Sequence, residues 1–115
     1  MKNVDSFLSF VRDQLDGLEE LTARRMFGGV GLYCGSVFFG IVHGDVLYLK
    51  VNDHTRSAYT RAGMKPFKPF AHRPTTLQYY EVPAAVLEDE EDLKDWARRA
   101  IAGIASPPAG RQRRR

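Results

Sequence analysis

The 115-residue chain is long enough for one domain with a real core and too short for two. At 43% hydrophobic and 27% charged residues it reads as globular rather than disordered, and no apolar run approaches the ~20 residues that cross a bilayer. The net charge of +3 comes from the C-terminal RQRRR: without its four arginines, 13 basic residues face 14 acidic ones, a near-neutral body that argues against a fold built around nucleic acid.

The opening MKNVDSFLSF lacks the apolar core and cleavage site of a signal peptide, and the single Cys34 rules out both an intrachain disulfide and a cysteine-based metal site. Together these give the expectation of a cytoplasmic protein. Val4, Phe7, Leu8, Val11, Leu15 and Leu18 recur at helical spacing, with Asp5, Arg12, Asp13 and Asp16 opposite, which predicts an amphipathic helix over residues 3 to 18. From Arg25 the period changes. GVGLYCG, SVFFGIVHG and DVLYLKVN are rich in β-branched and aromatic residues and are separated by short glycine-containing loops, the pattern of a three-stranded antiparallel meander.

DHTRSAYTRAG reads as a short helix with Asp53 as N-cap and Gly63 as its left-handed close. In MKPFKPFAHRPTTLQYYEVP the prolines at 66 and 69 forbid a central strand, so that part is placed as an irregular edge and TLQYYEV as the better strand. Leu93, Trp96, Ala97, Ala100, Ile101 and Ile104 then form the apolar stripe of a last helix, whose start carries the acidic cluster from Glu88 to Asp92. The order is helix, three strands, helix, one or two strands, helix. Strands in runs define an α+β class, a two-layer sandwich of helices on an antiparallel sheet, with one domain over residues 1–105 and a disordered basic tail over 106–115.

RRMFGGVGLY sets glycines directly behind two arginines, as phosphate-binding loops do. A dinucleotide fingerprint needs a strand before its glycines and a helix after them; here a helix comes before and strands after, and Gly29, Gly31 and Gly35 miss the G-x-G-x-x-G spacing. The glycines instead serve a tight entry into a strand or the close approach of another backbone. His43, His54 and His72 lack the paired spacing of zinc ligands, Cys34 has no assignable catalytic partner, and the acidic run EDEEDLKD is explained by its helix start. The expectation is therefore a non-enzymatic protein without cofactor or metal. The aromatic set Phe38, Phe39, Tyr48, Tyr59, Phe67, Phe70, Tyr79, Tyr80 and Trp96 exceeds what a small core needs on one face. Most of it must be core, but KPFKPF places Phe67 and Phe70 among prolines and lysines on a loop, where they suit a protein interface or, in the other reading, stacking on bases.

The motifs RRMFGGVGLY, FFGIV, DVLYLKVND-TR, G-KPFKPF, YYEVP and VLED…L-DWARRA, in this order, resemble the TfoX N-terminal domain family from about residue 7 to residue 102. The resemblance implies an α-β-β-β-α-β-β-α fold, a bacterial cytoplasmic setting and no catalytic site to transfer. The family's best-known members regulate natural competence at the level of transcription; the longer ones carry a second, C-terminal domain, so this chain is expected to be the first domain standing alone.

The leading expectation is an interaction domain in transcriptional regulation. It contacts a protein of the transcription machinery or a regulator, forms a homodimer, and has no membrane partner. Its surface is expected at Arg24, Arg25, Met26, Phe27, Phe67 and Phe70. The second reading, direct nucleic-acid binding, uses Arg24 and Arg25 with Arg111, Arg113, Arg114 and Arg115 of the tail.

Overall fold

The computed structural model describes residues 2–26, 28–68 and 78–105. Phe27, Phe70, His72 and the tail with Arg111, Arg113, Arg114 and Arg115 lie outside the described residues. In chain order the elements are α1 (Lys2–Gln14), β1 (Leu21–Met26), β2 (Gly29–Cys34), β3 (Val37–His43), β4 (Val46–Lys50), α2 (Arg56–Arg61), β5 (Tyr79–Glu81), α3 (Ala84–Leu87) and α4 (Glu90–Ala105). The five strands form one antiparallel sheet in sequence order, β1-β2-β3-β4-β5, so the α+β class with helices on an antiparallel sheet is observed.

The finer order differs from the expected α-β-β-β-α-β-β-α in three places, one of them the short helix α3 ahead of α4. Leu21–Met26 is a strand that the sequence pattern hides, because Arg24 and Arg25 interrupt any apolar alternation; pairing with β2 from Leu21–Cys34 to Met26–Gly29 makes it one. After α2 there is one regular strand. Pro66 forms only an isolated bridge to Tyr80, with Phe67 N–H donating to the Tyr79 carbonyl at 2.8 Å, which is the irregular edge that proline dictates.

One sheet face carries the core. Val30, Leu32, Val42, Leu47 and Leu49 point into it and are almost fully buried, met by Val11 and Leu15 from the first helical segment and by Leu93, Ala97 and Ala100 from α4. Trp96, Ile101 and Ile104 complete the α4 stripe as half-buried neighbours of that core. The α4 start is capped by Asp89, whose carboxylate accepts the Asp92 N–H at 3.0 Å, while Glu90, Glu91 and Asp92 face the positive end of the dipole.

At α2 the expected Asp53 cap does not form: Thr55 stands at the N-cap without a side-chain cap bond, and the turn before it is held by Asn52. Asn52, not Asp53, accepts the N–H groups of His54 (2.8 Å) and Thr55 (2.9 Å), and its own N–H donates to the Thr55 hydroxyl at 3.0 Å. Asp53 is instead an exposed ion-pair partner of Arg56. An Asx turn preceding the helix serves the backbone donors as well as a cap does, and Asn52 sits where the reach of its amide fits them. Gly63, with φ +79°, follows the helix end as expected.

Candidate interaction face on the sheet

Antiparallel register fixes which side chains share the second face. Cross-strand neighbours Arg24–Gly31, Tyr33–Phe38, Ile41–Tyr48 and Lys50–Tyr79 all point away from the core, and among the described residues no helix packs on them. Ile41 is buried yet stands outside the core cluster, which marks a second apolar layer on this side. Aromatic rings dominate the layer. Tyr33 stacks on Phe38 with centroids 5.0 Å apart, and Phe38 meets Tyr79 at 5.7 Å. Cations close both ends of the row: the Arg24 guanidinium lies 5.3 Å from the Tyr33 centroid and the Lys50 ammonium 5.8 Å from that of Tyr79. All three rings are half-buried.

Phe67 joins this face from the segment beside β5. Its ring lies 4.7 Å from Tyr48 and edge-on to His43 at 5.6 Å, so it is half-buried on the sheet rather than held out in a loop. His43 accordingly ends β3 as a ring-packing residue.

The two arginines of RRMFGGVGLY part company here. Arg24 and Met26 point to the open face, whereas alternation turns Arg25, opposite Val30, to the helix side. Arg24, Met26 and Phe67 are thus brought onto one surface and Arg25 is not. The glycines also find their cause. Gly29 lies so close to β3 that an added Cβ would come within 2.6 Å of the Val42 carbonyl oxygen, a backbone atom with nowhere to go. At Gly31 the same atom would be 2.9 Å from Met26 Cε and 3.0 Å from Phe38 Cε1. Gly31 is therefore the floor across which Met26 and Phe38 meet.

Burial governs the titration of this layer. It raises the Tyr79 phenol to about 12, helped by the neighbouring Tyr33, and it raises Tyr48, with the Glu81 carboxylate adding to the effect. Both stay neutral hydrogen-bonding hydroxyls at physiological pH. Cys34 is half-buried at the end of β2, and burial together with Glu20 pushes its thiol up, away from the reactive thiolate. Among the described residues no three His, Cys, Asp or Glu side chains come together as a metal set.

The aromatic set listed from sequence does not separate these faces, and it omits Tyr33. Strand alternation was the signal that could have found them, once β1 and the irregularity in β3 were known.

The α+β domain thus pairs one helix-covered sheet face with one open face of aromatic rings flanked by cations. The chain belongs to the TfoX N-terminal domain family, whose model matches residues 13–104. A search of curated proteins finds no match. No described helix is long and apolar enough to cross a membrane.

Proposed function

We infer that this protein is a non-enzymatic interaction domain of bacterial transcriptional regulation, holding a protein partner on the open face of its sheet. The carrying observation is the row of half-buried rings Tyr33, Phe38 and Tyr79 between the exposed Arg24 and the half-buried Lys50, flanked by Met26 and Phe67. Half-exposed aromatics with arginine at the margin are the composition that interface centres favour. Family membership supports the regulatory setting, because the best-known members act in transcription.

Direct nucleic-acid binding draws less support from this geometry. A stacking platform offers free ring faces to bases. Here Tyr33 and Phe38 spend facing ring surfaces on each other, and the end rings are covered by cations.

Photo-crosslinking in the native bacterium tests the proposal, with a reactive phenylalanine analogue in place of Phe38 or, as a control on the helix side, Asp13. The expected outcome is a discrete adduct with a transcription component from the position of Phe38 alone. An adduct with a second copy of the chain would place the homodimer on this face. Equal adducts from both positions would refute the assignment of the surface.

A further inference from the structure

On the other side of the sheet, α2 and α4 leave a cleft of about 300 Å³ between them, where the chain leaves β4. Its apolar wall is built from Tyr59 and Trp96, whose rings meet edge to face at 4.7 Å, with the small side chains of Ala58 and Ala100 leaving the space open. Its polar rim carries Lys50, His54 and Arg99. No carboxylate lines it. Asp95 reaches Arg99 at 3.0 Å from one helical turn away, but both partners of that pair are more than half exposed, so it holds the guanidinium weakly.

Tyr59 supplies a second, independent observation. The residue is only 2% exposed, and its hydroxyl has no hydrogen-bond partner among the described residues. A buried hydroxyl without a partner is an expensive feature that native structures seldom retain unless something else supplies the bond. Burial holds this phenol protonated, opposed in part by the Arg99 charge, so it is a donor as well as a neighbour of that guanidinium.

We propose that this cleft binds a small organic anion with an aromatic or apolar body, its carboxylate drawn to Arg99 and the Tyr59 hydroxyl and its body laid against Trp96. Among the described lining residues Arg99 is cationic and none is a carboxylate, which favours a ligand that brings the acceptors. The volume suits a single substituted ring rather than a peptide or a dinucleotide. The cleft lies on the helix side of the sheet and meets the protein-binding face only at Lys50, whose ammonium is turned to the Tyr79 ring.

Trp96 is the chain's only tryptophan, so its fluorescence reports the cleft directly. The experiment titrates the full chain with benzoate and, in parallel, with the neutral isostere benzamide, and follows the Trp96 indole N–H resonance as a second signal. Benzoate should bind at least tenfold tighter than benzamide. Arg99→Gln should weaken benzoate at least fivefold, and Tyr59→Phe, which keeps the ring and the packing, should weaken it severalfold. Arg98→Gln, one residue along and outside the cleft, should leave the affinity unchanged. The proposal is overturned if benzoate and benzamide behave alike, if Arg99→Gln and Tyr59→Phe both bind like the parent, or if 50 mM benzoate moves neither signal.

Discussion

The two faces of the sheet follow different chemical rules. The helix-covered face is mainly aliphatic: Val30, Leu32, Val42, Leu47 and Leu49 fill space against α1 and α4, with Phe39 and Tyr80 the rings buried among them. The open face is aromatic and carries charge, with Tyr33, Phe38, Tyr48 and Tyr79 between Arg24 and Lys50. Aliphatic side chains interdigitate best when surrounded on all sides, whereas rings can satisfy one another laterally and still leave polar tips in water. The difference teaches that the first face holds the fold and the second is free to be used.

Adjacent residues of β4 give the sharpest way to break this contrast. Leu49 points into the core and Tyr48 out of it. Leu49→Ala should cost about 3 kcal/mol by urea denaturation, the usual loss for a fully buried leucine, and Tyr48→Ala about 1 kcal/mol. Equal losses would mean that the open face is a second core. Gly29→Ala comes next, at about 2 kcal/mol, because the new methyl meets a backbone carbonyl that cannot rotate away. A cost below about 0.5 kcal/mol would show that β2 and β3 can separate there without penalty. Tyr33→Ser should cost about 1 kcal/mol and yet abolish the adduct formed from position 38, so that binding and stability part company.

The smallest effect is in alkali. Phenols of an unfolded chain ionise near pH ~10. Tyr79 is held at about 12 by burial, so in the interval between these values the unfolded chain gives up its proton first and stability falls as pH rises. The urea midpoint should therefore decline from pH 9.5 to 11.5, and less steeply in Tyr79→Phe. A parallel decline in both would remove Tyr79 as the cause.

Much of this was legible in the sequence. The α4 stripe, the three strands from Gly29 to Lys50 and the proline-broken edge follow from period and composition. The phosphate loop is disposed of because a strand and not a helix follows the glycines, although the element before them is a strand and not the expected helix. β1 was not legible, since LTARRM becomes a strand by hydrogen bonding to β2 and carries no alternation of its own. That Asn52 holds the turn before α2 and Asp53 does not turns on one residue of reach between two side chains of similar chemistry. The anion cleft joins Lys50 and His54 to Arg99, far apart in the chain, and no local pattern announces it. On the open face the sequence singled out Arg24, Met26 and Phe67 but could not turn Arg25 away from them.

The register shift between Leu32 and Tyr33 has a consequence for how β3 can be edited. Phe38 pairs with Tyr33 and Gly40 with Leu32, so Phe39 is an extra residue, and it and Gly40 both fall on the core side. A side chain at position 40 would be crowded, since a Cβ there would stand 3.1 Å from the Tyr48 carbonyl and 3.2 Å from Leu49 Cδ2. The strand thus contains a frameshift, which is why Phe38 and Ile41, an odd number apart, look the same way. Excising Gly40 would restore a plain two-residue pleat with every ring on its present side. Excising one residue from the unbroken β4 would exchange the aliphatic and aromatic faces beyond the cut. Length changes in this sheet are therefore tolerable at one place and ruinous a few residues on.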